Sequence, residues 1–375
     1  MPNSAADRRN EPRHPLRVDA HLDLASNALG YDRDLLLPLD ELRTREAAWW
    51  GHDEATRRTP GTATVSLPAM RRAGVRLCMA SIFARVKPRE PHGGLPRRDD
   101  VDFHHPIAGE AAAMAQAAWY RGMAKAGRLR IVEHAADLPD LDAPADDDQP
   151  IAVVLMLEGC DPIVNPDDTP AWRERGVRVA CLAHYGEGRY AMGTGGDGPL
   201  TDAGRRLVPR LGDAGIALDL SHTADTAFDQ ALSLHHGAVC ASHCNTRTIC
   251  HRDRQLTDAQ IRALADRGGV VGVVPYNPMI VNCPIGHRPP QEDVSLDRLA
   301  DHVDHICQLA GSAAHVGVGS DLDGGFGREA IPHGLDSIAD LPRLGDVLLR
   351  RGYSEPDVAA VMGGNWHRWL AEALA

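Results

Sequence analysis

The sequence predicts an α/β chain folded as a (β/α)8 TIM barrel with a binuclear metal site at the C-terminal face of its strands. Three observations carry that expectation. Eight apolar runs of strand character alternate with helical segments. Six of those runs end in a histidine or a carboxylate, and in such a barrel every strand C-terminus opens onto one face. Within the stretch Ile216 to His243, the runs IALDLSH and GAVCASH flank a helical segment, Ala224 to His236, and each closes on a Ser-His pair. A crossover of that length makes the two strands parallel neighbours, so His222 and His243 are expected side by side.

Taken in order, a polar stretch to about residue 15 reads as a disordered tail, and residues 16–375 as one barrel domain. The first strand is LRVDAHLDL, in which His21 and Asp23 are two residues apart and share a face. The second, VRLCMASIF, follows a polar stretch from Ala25 to Gly74 and precedes a long loop, Ala84 to Asp102. A helix is expected from His105 to Gly127, then an acidic surface connection from Asp137 to Pro150 that lacks the glycine turn and terminal glutamate of a calcium loop.

The third strand, IAVVLMLEG, is apolar throughout, as a strand covered on both faces should be, and ends in Glu158. The fourth, VRVACLAH, ends in His184 and opens into a glycine-rich loop without the Gly-Lys-Ser/Thr of a phosphate cradle, read as a mobile or substrate-contacting loop. A helix from Thr201 to Ala214 leads to the fifth and sixth strands. Beyond them lie an arginine-bearing loop (Arg247, Arg252, Arg254) and a helix from Thr257 to Arg267. The seventh strand, GGVVGVVPY, ends near Tyr276, placing that ring among the candidate substrate contacts. A helix from Leu296 to Ala310 precedes the eighth, HVGVGSD, which ends in Asp321.

Composition narrows the function classes. With 43% hydrophobic and 25% charged residues the chain is an ordinary globular sequence. Lysine and arginine number 40 against 52 acidic residues, a net charge of -12, and no basic run tracks phosphates, which argues against nucleic acid or anionic membranes as partners. The N-terminus carries no apolar signal region, and no apolar run approaches the roughly 20 residues of a membrane span, so the expected location is cytoplasmic. The eight cysteines include no Cys-x-x-Cys pair, which argues against a structural zinc site.

Three histidines with three carboxylates exceed what one tetrahedral ion requires. The inventory suits two divalent ions, one held by His21 and Asp23, the other by His222 and His243, with Glu158 bridging. Ions about 3.5–4 Å apart lower the pKa of a shared water and polarise a carbonyl, which implies hydrolysis of an amide or ester. Asp321, beside the first strand in a closed barrel, is placed to carry the proton to the leaving nitrogen, and His184 to donate to the oxyanion. Lys87 and Lys125 are the only lysines and neither closes a strand, which argues against a carbamylated lysine bridge. No Gly-x-Ser-x-Gly elbow of a serine hydrolase is present.

At these residues the sequence closely resembles the membrane dipeptidase (renal dipeptidase) family of zinc peptidases. The resemblance rests on DAHLDL, LEG, GVRVACLAH, LTDAGRRLVPRLGDAGIALDLSH, AVCASHCNTR, LTDAQIRALADRGGVVGV, HVGVGSDLDG and GGN, in order across most of residues 17–367. It implies a barrel with two zinc ions, other divalent metals being an alternative, that hydrolyses dipeptides, including those with a C-terminal D-residue. By position, the resemblance assigns His21, Asp23, Glu158, His222 and His243 to metal binding and Asp321 to acid/base work. His184 then contacts the reacting centre, and Arg254 binds the substrate's C-terminal carboxylate. Homodimerisation is implied by the resemblance alone.

The chain departs from mammalian members after His184, where it reads Tyr185, Gly186, Glu187, Gly188, Arg189, Tyr190 in place of Cys-Asn-Thr-Pro-Trp. Two alternatives stand beside the dipeptidase: a binuclear amidohydrolase acting on a cyclic amide, lactone or N-acyl amino acid, and a catalytically silent barrel used as a binding module.

Overall fold

The computed structural model describes residues 12–50, 61–87, 101–143 and 148–375. Most of the expected N-terminal tail, residues 88–100 of the long loop and residues 144–147 of the acidic connection lie outside the described residues. Each expected strand forms, shorter than its apolar run. The eight are β1 (Val18–Leu22), β2 (Leu77–Ile82), β3 (Ile151–Leu157), β4 (Val177–Cys181), β5 (Ala217–Asp219), β6 (Val239–Cys240), β7 (Val271–Val273) and β8 (Val316–Val318). Most of the site residues therefore sit just beyond the ladder, where the backbone is free to turn a side chain inward.

From β1 to β6 neighbouring strands pair in parallel and in chain order. A bridge between Ala241 and Val271 joins β6 to β7, and β7 pairs with β8. The Asp321 amide then donates to the His21 carbonyl at 3.1 Å, so the ring closes at the level of the site. Between Asp19 and Leu22 strand β1 carries one residue more than β2. Such a bulge re-aims the strand end, here the end that bears His21 and Asp23.

Strand β3 shows why the runs are apolar on both faces. Ala152, Val154 and Met156 join Val18, Ala20, Leu77, Met79 and Val179 inside the barrel, while Val153, Leu155 and Leu157 pack outward against the helical layer. The helix Asn365–Ala373 brings Trp366, Trp369 and Leu370 into the same interior cluster. Trp369 Nε1 donates to the Val239 carbonyl at 2.9 Å. Gly317 on β8 makes this packing fit, since a Cβ there would lie 2.4 Å from Trp366 Nε1.

The helices open and close where the side chains dictate. Two Leu-Thr-Asp-Ala segments start helices Asp202–Asp213 and Asp258–Asp266, with Thr201 and Thr257 as N-caps. The hydroxyls of these threonines accept from the amides of Gly204 and Gln260, three residues on. The long loop after β2 is partly ordered as β structure: Arg85–Val86 pairs in parallel with Asp102–Phe103. No helix among the described residues is long and apolar enough to cross a membrane.

Candidate metal centre

The strand ends bring the seven expected residues to one place. Glu158 lies at the middle: its Oε1 is 3.6 Å from His21 Nε2, 3.6 Å from His222 Nε2, 3.5 Å from His243 Nε2 and 3.4 Å from His184 Nε2. Asp23 Oδ1 is 3.7 Å and Asp321 Oδ1 4.0 Å from His21 Nε2. Three candidate ligand groups emerge among the described residues: His21 with Asp23 and Glu158, and His222 with His243 and Glu158, share Glu158, and the third joins His21, His243 and Asp321. Ligands about 2.0–2.1 Å from a tetrahedral ion stand roughly 3.4 Å apart, close to the spacings seen. The donor set of imidazole and carboxylate suits zinc and its divalent neighbours. Buried His21 Nε2 and Glu158 Oε2 have no hydrogen-bond partner among the described residues, as expected of atoms whose partner is an ion.

Strand-end backbone and a layer of polar groups behind these side chains fix their aim. His222 and Asp321 take left-handed conformations, with φ of 61° and 54°, which L-residues adopt at a cost and functional sites tolerate. Thr194 Oγ1 meets His222 Nδ1 at 3.1 Å, and Ser242 Oγ meets His243 Nδ1 at 2.7 Å. Asp19 Oδ1 accepts from the amides of His21 and Ser320, and Asp219 Oδ1 from those of Ser221 and Ser242. Ser81 donates to Asp23. These partners set which imidazole nitrogen faces the centre.

Burial works against charge throughout the cluster, and the neighbours decide the balance. Burial opposes ionisation of Glu158, yet His21 and His184 hold its carboxyl well below the usual range. Burial alone would lower His21, but Glu158, Asp321 and Asp23 push it up to about 10. His222 is pushed down to about 3 by burial and Arg254, and His243 well below its usual value by burial and His21. Both therefore present a free lone pair at neutral pH. Asp321 is raised well above the carboxylate range by burial, against the pull of His21 and with Glu158 and Asp23 adding to the rise. Converging carboxylates demand positive charge; a proton on His21 supplies it one way, and a divalent cation would supply it by displacing that proton.

A cavity of about 260 Å³ opens over these groups. Its wall holds Asp23, Glu158, His184, His222 and Asp321 together with Arg254 and Tyr276. Arg254 is buried, donates from Nη2 to the His243 carbonyl at 2.8 Å and from Nη1 to Cys244 Sγ at 3.1 Å, and has no carboxylate partner among the described residues. Tyr276 stacks on Phe326 with ring centroids 4.3 Å apart.

Sequence reasoning missed several of the residues around this cavity. Phe83, Arg85, Tyr185, Met279, Arg288 and Phe326 also line it. They come from loops or from elements of two to four residues, too short for periodicity to mark a direction. Asp19 and Asp219 did leave a signal, an acidic residue inside an otherwise apolar strand run. The glycine-rich loop after β4 is tied down: the Gly186 amide donates to the Thr194 carbonyl, the Thr194 amide to the His184 carbonyl, and Lys87 Nζ to the carbonyls of Tyr185 and Glu187.

The sequence matches the family model for membrane dipeptidase, peptidase family M19, over residues 13–374. It is 32% identical over 257 residues to an uncharacterized Klebsiella pneumoniae protein of the pqqA 5′ region, 65% of this chain and 89% of that protein. It is also 32% identical over 205 residues to dipeptidase aclJ of Aspergillus oryzae, 54% of this chain and 46% of that protein. Among solved structures, a metallopeptidase from Rhodobacter sphaeroides liganded with a phosphinate mimic of the dipeptide L-Ala-D-Ala superposes with a TM-score of 0.75 at 25% identity, covering 96% of this chain and 99% of that one. The probable dipeptidase PvdM from Pseudomonas aeruginosa shares the fold, with a TM-score of 0.71 at 20% identity over 96% of each chain. Since the family match runs from ahead of the first strand to the last helix, the chain belongs to the membrane dipeptidase family, peptidase family M19, and is a metallo-dipeptidase.

Proposed function

We propose that this metallo-dipeptidase uses two zinc ions, bridged by Glu158, to hydrolyse small dipeptides, including those with a C-terminal D-residue. The observation that carries the reading is the pair of ligand groups that share Glu158 beneath a cavity whose wall holds Arg254, buried and with no carboxylate partner among the described residues. His21 and Asp23 would hold one ion, His222 and His243 the other. Ions so held would lower the pKa of a shared water and polarise the scissile carbonyl.

The remaining groups act on the substrate. Arg254 pairs with the C-terminal carboxylate, which anchors the dipeptide at one end and requires a free carboxylate near the scissile bond. Asp321 takes the proton of the attacking water and passes it to the leaving nitrogen. His184 donates to the carbonyl oxygen as it gains charge. Tyr276, with Phe326 behind it, walls the side-chain pocket. The solved relative liganded with a mimic of L-Ala-D-Ala supports tolerance of a D-residue. The resemblance to the family supports a homodimer, which light scattering on the purified protein checks.

A substrate screen tests the reading. Metal-loaded enzyme is assayed on L,L and L,D dipeptides beside N-acyl amino acids and lactones, with metal content measured on the same preparation. Dipeptide turnover with close to two zinc ions per chain is expected; lactone turnover without dipeptide turnover, or fewer than about one ion per chain, would reject it.

A further inference from the structure

Arg85 falls outside every segment that carries the family resemblance, yet its guanidinium is buried at the cavity wall. Asp102 holds it by two bonds, Nε to Oδ1 at 2.6 Å and Nη2 to Oδ2 at 2.7 Å. That fork uses one edge of the group and fixes its plane. The remaining nitrogen, Nη1, lies 3.1 Å from His184 Nδ1. A guanidinium has only protons to offer, so Nδ1 must supply the lone pair and the single proton of the neutral ring must sit on Nε2. That nitrogen is on the cavity side, 3.4 Å from Glu158 Oε1.

The surroundings hold the ring in this orientation. Phe83 lies under both partners, its centroid 4.6 Å from the His184 ring and 5.6 Å from Arg85 Cζ. The two backbone segments are tied together as well. Asp161 accepts from the amides of Val86 and Arg189, and Lys87 bonds the carbonyls of Tyr185 and Glu187. The short pairing of Arg85–Val86 with Asp102–Phe103 sets the register of the Arg85–Asp102 fork.

We propose that Arg85, oriented by Asp102, is a positioning residue for His184: it fixes the tautomer whose Nε2–H points into the cavity, ready to donate to the scissile carbonyl oxygen. The last clause rests on the dipeptidase reading; the tautomer does not.

The test uses full-length, zinc-loaded protein labelled with 15N-histidine, with the His184 signals assigned by their loss in His184→Asn. The wild type should show an unprotonated Nδ1 and a protonated Nε2, and Arg85→Met should shift the ring toward a tautomer mixture. In kinetics, Arg85→Met should lower kcat by about 10- to 100-fold, less than the roughly 100- to 1,000-fold that outright loss of an oxyanion donor costs, with KM and zinc content little changed. Arg85→Lys, which still donates, should recover part of the loss. A proton on Nδ1 in the wild type overturns the proposal, and so does a raised KM with unchanged kcat, which would make Arg85 a substrate contact. Should Arg85→Met fail to fold, the wild-type spectrum decides alone. Absence of any dipeptide turnover would reject the function reading while leaving the tautomer measurement intact.

Discussion

The two ends of the barrel are built from the same eight strands and follow opposite rules. At the N-terminal end Trp366, Trp369 and Leu370 are buried among Val18, Leu77 and Val154; Trp369 Nε1 donates to a backbone carbonyl, while Trp366 Nε1 is buried without a partner among the described residues, an uncharged donor left over from packing. At the C-terminal end His222, Asp321 and Asp323 sit in left-handed backbone, and Glu158 Oε2 and His21 Nε2 are buried without a partner among the described residues. One end spends its residues on packing and the other holds conformations that packing alone would not choose. Stability and chemistry are therefore separable in this fold, and substitutions at each end should report on one and spare the other.

The largest effect is expected from Glu158→Gln. Losing the shared carboxylate removes a ligand from both groups, so metal content should fall and kcat/KM should drop by about 1,000-fold or more, equivalent to about 4 kcal/mol. Far-UV circular dichroism should stay that of the wild type, because the strands beneath are held by their own apolar contacts. Activity that survives in a metal-replete preparation would break the comparison at its functional end.

Trp369→Ala is the counterpart at the opposite end. Removing a buried indole that also bonds the Val239 carbonyl should cost about 3–5 kcal/mol of stability, read as a lower urea midpoint. At a temperature well below the transition, turnover per folded molecule should match the wild type. A fall in kcat there would mean that the two ends are coupled through the strands.

A third, smaller effect distinguishes histidines by what surrounds them. His302 is fully buried away from the cavity, its Nδ1 accepting from the Thr246 amide and its Nε2 facing the Ile280 carbonyl at 3.0 Å. Burial is the main reason its pKa falls from 6.5 to about 4, with Asp301 opposing and His305 and Arg298 assisting. Between those values the unfolded chain binds a proton that the native chain does not, so stability falls as pH falls, by about 1.4 kcal/mol per pH unit. From pH 7 to pH 5 that amounts to about 2 kcal/mol, and His302→Asn should lack this component of the acid loss. Equal acid sensitivity of the two proteins in urea titrations would assign the loss elsewhere.

The fold and the polar groups that meet at the strand ends were legible in the sequence for one reason. A strand buried on both faces is written as an apolar run, so a histidine or carboxylate that ends the run stands out, as His184, His222, His243 and Glu158 do. Boundaries were less legible because regular strand structure stops before apolarity does: IALDLSH is strand only over Ala217–Asp219, with one further bond from the Leu220 amide to the Cys240 carbonyl. The cavity wall was illegible where loops supply it. Arg85 and Asp102 are separated by a long loop, and nothing in either local sequence announces that they meet. Lys87 was informative only as a lysine that closes no strand, whereas in the fold it straps the loop beyond His184.

The smallest expected effect asks how the loop carrying Arg254 is held. Thr257 caps the helix Asp258–Asp266 just past that loop, its hydroxyl accepting from the Gln260 amide while the Gln260 side chain accepts from the Thr257 amide. Thr257→Ala removes the first of these bonds and keeps the second, so a loss of about 1 kcal/mol is expected. Arg254 is fixed separately, through the His243 carbonyl and Cys244 Sγ, and Arg247 ties the same loop to Asp225. The KM for a dipeptide should therefore stay unchanged while the unfolding midpoint drops slightly. A raised KM in Thr257→Ala would instead show that the cap positions Arg254, moving one element of the C-terminal face from chemistry into the account of stability.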